Sequence, residues 1–131
     1  MPTPSLKVTI HHEDDKGNVF TLAEPIHHIC CMNARILELD IPAGFASDGA
    51  SVPRFFWRAV FPPGDTHALY AAFVHDYIYR THPVGWTKSM ADRLFLDLLI
   101  EGGIPRRRAY MAYLGVALFG RKAWNEGGNL Q

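Results

Sequence analysis

The stretch that decides the fold is Phe73–Arg80, which reads Phe-Val-His-Asp-Tyr-Ile-Tyr-Arg and places titratable side chains inside an apolar run. An N-cap at Asp65 or Thr66 predicts a helix from that point to the end of the stretch. Residues four apart are neighbours on a helix, so His75 and Tyr79 share one face. The sequence therefore predicts a helix with a polar group among its core residues.

A second helix is predicted from Lys88 to Glu101, with Thr87 as its N-cap. Asp92 lies on the same face as Phe95 and therefore points inward. The connection between the two helices is short, so we expect them to form an antiparallel hairpin. An inward aspartate is costly unless it is paired. A histidine facing it across the hairpin, His75, would satisfy both groups.

Together with the rest of the sequence, these helices predict an α+β fold and a single domain that spans residues 1–131. Alternating β-branched and apolar residues in region 5–41 indicate a small N-terminal antiparallel sheet. Region 42–64 is a predicted loop, and region 65–120 holds three helices with the helix hairpin at their centre. The polar, glycine-containing tail 125–131 is expected to be frayed.

Composition excludes several classes of protein. Hydrophobic residues make up 48% of the chain, and the 13 basic side chains balance the 13 acidic ones, which disfavours nucleic-acid binding. No run reaches the length of about 18 apolar residues that predicts a membrane span. The two cysteines, Cys30 and Cys31, are adjacent and cannot form a disulfide framework, so a reducing compartment is expected.

The predicted third helix begins at Pro105 and continues with Arg106–Arg108. These arginines oppose the helix dipole. They form either a solvated face or a contact to the phosphates of lipid or nucleic acid, or to an acidic partner. The residues that follow are apolar nearly all round the helix, which indicates a buried central helix or one that docks on another subunit. A homo-oligomer is thus a candidate assembly.

Four residues are candidates for one hydrolytic site. Asp92 would orient His75, which would remove a proton from water. Asp76, turned toward the edge of the hairpin, and Asp48, from the Asp-Gly loop, would ligate a cation that polarises the attacked carbonyl. Oxygen ligands of this kind suit calcium or magnesium rather than zinc. Gly49, Ser51 and Arg54 are supporting residues of the same loop.

Simpler interpretations stay open. The histidine and Asp92 could form a buried polar pair with no catalytic role, Asp48 an Asx-turn, and Asp76 a solvated residue. Ser51 as a nucleophile is disfavoured, because it lacks a Gly-x-Ser-x-Gly elbow. The histidine and cysteine pairs at 27–28 and 30–31 lack the spacing of a zinc site.

Five segments together resemble an uncharacterised family of phage and bacterial proteins, one of the domains of unknown function. They are Ile-Pro-Ala-Gly-Phe (41–45), Asp-Gly-Ala-Ser-Val-Pro-Arg (48–54), His-Asp-Tyr-Ile-Tyr-Arg (75–80), Ala-Asp-Arg-Leu-Phe (91–95) and Phe119-Gly120 with Trp124. The resemblance implies a phage or prophage origin and synthesis in the cytoplasm of a bacterial host. Association with the virion, and with phage structural proteins as partners, is a further expectation.

The segment His75–Arg80 also resembles the active-site helix of prokaryotic secreted phospholipase A2, His-Asp-aromatic-Gly-Tyr-Arg. This resemblance implies His75 as the base, Asp48 and Asp76 as calcium ligands, and Asp92 as the residue that orients the histidine. It also implies a hydrogen bond from Tyr79 to Asp92. The leading hypothesis is therefore a phage-encoded, cation-dependent hydrolase of an ester or amide, such as a lipid. The alternative is a non-catalytic virion or tail-assembly protein in which the cluster is structural.

Overall fold

The structure is a computed structural model that describes residues 8–13, 17–47 and 66–128. These residues fall into two compact units, one holding the strands and the other holding the helices. The α+β fold with a helical C-terminal half is confirmed. The predicted single domain over 1–131 stays a prediction.

The strands form two sheets where the sequence indicated one. Strands β1 (Val8–Glu13), β2 (Gly17–Leu22) and β5 (Ala46–Ser47) form an antiparallel sheet in the order β1-β2-β5. Strands β3 (Ile26–Met32) and β4 (Arg35–Ile41) form a separate antiparallel pair. The division falls at Pro25, which has no backbone N–H to donate to a ladder.

The β3–β4 pair has one solvent-exposed face, as its alternating sequence predicts. Leu37, Leu39 and Ile41 are buried, whereas Glu38 and Asp40 between them are exposed. A two-residue turn at 33–34 joins the strands, and both of its residues have positive φ values, as hairpin turns that match the strand twist require.

Four helices follow in the described part of the chain: α1 (Thr66–Thr81), α2 (Lys88–Glu101), α3 (Arg106–Phe119) and α4 (Arg121–Glu126). Helices α1 and α2 pack on each other as the predicted helix hairpin. The side-chain oxygen of Thr87 accepts a hydrogen bond from Met90 N, which confirms the predicted cap of α2. No helix formed by the described residues has both the length and the apolar character needed to cross a membrane.

Helix α3 is buried on one side only. Its small residues face inward on α2, and the large apolar residues between them are exposed. The buried residues are Ala109, Ala112, Gly115 and Val116. Of the two predicted alternatives, a buried central helix is therefore wrong, because only a narrow stripe of mostly small side chains is buried. Docking on another subunit stays a prediction.

The helical region continues past its predicted end at Gly120. Residues 121–126 form α4, and the N–H of Gly128 donates to the carbonyl of Arg80. The ring of His82 stacks on Trp124 with centroids 3.7 Å apart, and its Nε2 donates to the carbonyl of Trp124 at 2.9 Å. Trp124 and Gly128 thus contact His82 and the end of α1. The predicted fraying of the tail 125–131 stays a prediction.

Candidate functional site

A buried histidine–aspartate pair joins α1 to α2. His75 Nε2 lies 2.8 Å from Asp92 Oδ1. The side chain of His75 has no exposed surface, and that of Asp92 is 3% exposed. The pairing that the helical spacing predicted is therefore present.

Tyr79 also forms a hydrogen bond to the aspartate of this pair. Its hydroxyl donates to the same oxygen, Asp92 Oδ1, at 2.5 Å. The ring of His75 also packs on two aromatic rings, with centroids 4.1 Å from Tyr79 and 4.8 Å from Phe95, and both contacts are tilted. The imidazole is therefore held by a hydrogen bond and by aromatic packing.

Lys88 binds the other carboxylate oxygen and was not among the predicted site residues. Its Nζ donates to Asp92 Oδ2 at 2.7 Å, to Val116 O at 3.0 Å and to Ala117 O at 3.3 Å. An ammonium has three donors, and all three are used here. The sequence contained a signal for this contact, because Lys88 precedes Asp92 by four residues on one helix face.

The ionisation of the pair follows from this network. Burial lowers the pKa of His75 and outweighs the opposing effect of Asp92, so the imidazole is neutral near pH 7. Burial alone would raise the pKa of Asp92, but hydrogen bonds from His75, Lys88 and Tyr79 bring it below its ordinary value. Burial and the hydrogen bond to Asp92 raise the pKa of Tyr79. An ionised carboxylate thus accepts hydrogen bonds from three donors.

Asp76, the predicted cation ligand on α1, is buried, so its interpretation as a solvated residue is wrong. The guanidinium of Arg80 lies one turn further along, with Nη1 3.8 Å from Asp76 Oδ2. Asp48 and the supporting residues Gly49, Ser51 and Arg54 lie outside the described residues. Of the four predicted site residues, the structure thus gives the positions of three.

The histidines and cysteines of β3 form no metal cluster with other residues in the described part of the chain. His27 Nδ1 lies 2.5 Å from Asp40 Oδ1 in an exposed cross-strand pair, and this hydrogen bond raises the pKa of His27. Cys30 and Cys31 are not joined in a disulfide. Over residues 8–13, 17–47 and 66–128, no three His, Cys, Asp or Glu side chains are grouped so that they could hold a metal ion.

A pocket of about 420 Å³ opens next to Asp92 on the side of Lys88. It lies between the start of α2, the end of α3 and helix α4. Its wall is polar and aromatic, with Lys88, Ser89, Asp92, Tyr113, Arg121 and Trp124 among the lining residues. The histidine does not line it, so this pocket reaches the carboxylate of the pair and not its imidazole.

Comparison with known proteins places this fold in a family without an assigned activity. "Uncharacterized protein y4jT" of Sinorhizobium fredii (strain NBRC 101917 / NGR234) is 32% identical over 84 residues, which are 64% of this chain and 24% of that protein. "Uncharacterized protein y4iH" of the same strain is 28% identical over 74 residues, 56% of this chain and 30% of that protein. The aligned parts thus span less than a third of these longer relatives.

No solved structure matches this chain. A family model does, and it covers residues 20–116, which include β3, β4, α1, α2 and most of α3. The matched part contains His75, Tyr79, Lys88 and Asp92, so the pair and the side chains that donate to its carboxylate lie within it. The chain therefore belongs to the family described as "Protein of unknown function (DUF1353)".

Proposed function

We propose that this chain is a hydrolase of an ester or amide bond, with His75 as the general base and Asp92 as the group that orients it. The observation that carries the proposal is the 2.8 Å hydrogen bond between His75 Nε2 and Asp92 Oδ1. Because the aspartate is ionised, Nε2 must carry the ring proton, and Nδ1 is then the basic nitrogen of the neutral ring.

The chemical step follows from these two groups. Nδ1 of His75 takes a proton from water as the water oxygen attacks the substrate carbonyl. The carboxylate of Asp92 stabilises the imidazolium that forms and is not itself protonated. Tyr79 and Lys88 hold the carboxylate in place through its two oxygens. The imidazolium then returns the proton to the leaving group.

Calcium dependence is the second part of the proposal, with Asp76 and Asp48 as ligands. A bound cation would polarise the substrate carbonyl. The described residues alone do not supply enough acidic or histidine ligands, so this part depends on Asp48 and nearby backbone carbonyls. Calorimetric titration of calcium into the wild type and into Asp76→Asn tests it. No heat of binding at millimolar calcium removes both ligand roles and leaves the role of His75 untouched.

The substitution His75→Gln tests the hydrolase proposal. The glutamine amide can still donate to Asp92, but it has no basic nitrogen. Suitable probes are p-nitrophenyl butyrate and phosphatidylglycerol vesicles with calcium. We expect hydrolysis by the wild type and by His27→Gln, whose histidine is exposed and distant in sequence. His75→Gln should keep its melting temperature and lose hydrolysis by at least about a hundredfold, the lower end of the range typical of a general base. Equal rates for both proteins would overturn the proposal.

A second candidate function is a non-catalytic role in a phage virion or tail, with the pair as a structural lock. The observation that favours it is the absence of exposed surface on the His75 side chain, which denies the ring direct contact with water. This role predicts no hydrolysis by the wild type and a large loss of stability when the pair is broken. A phage or prophage origin and synthesis in a bacterial host are shared by both candidates, and the resemblance of the motifs supports them.

A further inference from the structure

The outer face of α3 is apolar and exposed. Tyr110, Met111, Leu114 and Leu118 lie opposite the small residues that pack on α2, and Leu114 and Leu118 are 51% and 68% exposed. Phe119, the last residue of the helix, is also exposed. Large apolar side chains grouped in this way on a surface indicate an interaction site.

Positive charges border this face at both ends. Arg106–Arg108 are exposed at the start of α3, and Arg121 and Lys122 are exposed just after its end. No acidic residue occurs between Gly102 and Asn125, although the whole chain has a formal net charge of zero. Lys122 Nζ lies 4.0 Å from Glu126 Oε1, one turn further along α4, whereas Arg106–Arg108 have no acidic residue on their own helix. The positive charge at the start of α3 is thus separated in sequence from the acids that balance it elsewhere.

This distribution of charge disfavours a second copy of the chain as the occupant. In an antiparallel contact, the arginines of one α3 would face Arg121 and Lys122 of the other. In a parallel contact, arginines would face arginines. Both arrangements bring like charges together with no acid on the helix to pair with them, which costs free energy.

We propose that the outer face of α3 binds the surface of a bilayer that contains anionic lipid. An apolar helix face with arginine and lysine at its borders can enter the boundary between headgroups and acyl chains. The cations then lie at the level of the lipid phosphates. Since His75 takes no part in this contact, the inference stands or falls separately from the hydrolase proposal.

The experiment measures co-sedimentation of the full chain with vesicles of phosphatidylcholine alone or mixed with phosphatidylglycerol. Binding should need phosphatidylglycerol and weaken with added salt. Combined replacement of Arg106, Arg107 and Arg108 by glutamine should weaken it about a hundredfold. Leu114→Asn with Leu118→Asn should weaken it at least about tenfold.

Matched controls come from exposed residues elsewhere in the chain. Ile29→Asn with Ile36→Asn removes two apolar side chains that are 57% and 76% exposed on β3 and β4, and it should leave binding unchanged. Arg93→Gln removes an exposed arginine of α2 and should have little effect. His75→Gln should bind as the wild type does. Circular dichroism checks that every variant is folded.

Three results would overturn the inference. The first is equal binding, or none, to the two kinds of vesicle. The second is wild-type binding by the α3 variants. The third is a dimer in sedimentation velocity that the leucine variant converts to a monomer, because the face would then belong to a second copy.

Discussion

Lys88 Nζ donates to Asp92 Oδ2 at 2.7 Å, and it ties this carboxylate to the last carbonyls of α3. The lysine thereby supplies the positive charge that a buried aspartate needs. It also connects α2, which carries the aspartate of the candidate catalytic pair, to α3, which carries the exposed apolar face.

Removing this ammonium should destabilise the helical unit. We expect Lys88→Met to lower the free energy of unfolding by about 3 kcal/mol, because it leaves a buried carboxylate without its cation. Arg93→Met is the matched control, since Arg93 and Asp97 form an ion pair with the same spacing on the same helix. The arginine is 63% exposed and the lysine 16%, so the control should cost less than about 1 kcal/mol. Urea denaturation gives both values, and equal losses would contradict the role of Lys88.

The stability of the protein should depend on pH through His75. Its pKa is lowered in the folded state from 6.5, so the unfolded chain binds a proton that the folded chain does not. The stabilisation that this gives is complete above pH 6.5 and is lost as the pH falls through the folded pKa. Each pH unit in that window should cost at most about 1.4 kcal/mol.

Denaturation of the wild type and His75→Gln between pH 5 and pH 8 measures this dependence. The exposed His27 has a raised pKa and the opposite effect, but it is present in both proteins and cancels in the difference. Tyr79, whose pKa is raised, and Asp92, whose pKa is lowered, both contact the ring and do not change ionisation in this range. A difference in stability that stays constant with pH would show that the ring is not buried in its neutral form.

The turn between β3 and β4 contains a strained alanine. Asn33 and Ala34 have φ values of 54° and 61°, and alanine in this region costs about 1 kcal/mol relative to glycine. We expect Ala34→Gly to stabilise the hairpin by about that amount. Slower hydrogen exchange of the β3–β4 amides would report it. Ala23→Gly is the control, because Ala23 has no positive φ. This substitution should not slow the hydrogen exchange of the β3–β4 amides.

The contact between α4 and the end of α1 requires glycine at position 127. A Cβ atom there would lie 1.8 Å from the carbonyl oxygen of Tyr79, so Gly127→Ala must displace the backbone. We expect a loss of more than about 2 kcal/mol and a change in the fluorescence of Trp124, whose ring packs on Tyr79 and His82. Gly103→Ala meets no atom within 4 Å but has a φ of 92°. It should cost only about 1 kcal/mol, and an equal effect of the two substitutions would contradict this account.

The periodicity of the sequence was sufficient to predict the pair at the centre of the hairpin. The four-residue spacing put His75 and Tyr79 on one face of α1, and an aspartate among apolar residues of α2 needed a partner. The sequence did not predict that Lys88 belongs to the site, because a lysine at a helix start is normally solvated. Its role depends on the carbonyls of α3, and no local pattern indicates how close they come.

Helix α4 was missed for a related reason. Four of its six residues are polar, none of the six is buried, and glycines stand on both sides, which is typical of a loose tail. Packing of Trp124 against α1 and the close approach of Gly127 stabilise it, and these are tertiary contacts that intrinsic propensity does not predict. The sequence also did not predict the division of the strands into two sheets. That division depends on which strand pairs with the edge of β2 opposite β1.

The alternation of side chains along β3 also determines the thiol chemistry of the protein. Cys30 lies opposite Leu37 and is half-buried, whereas Cys31 lies opposite Ile36 and is exposed. A bulky maleimide should therefore modify Cys31 first. One fluorophore could then be attached to the strand unit without mutagenesis and used to follow its unfolding separately from that of the helices.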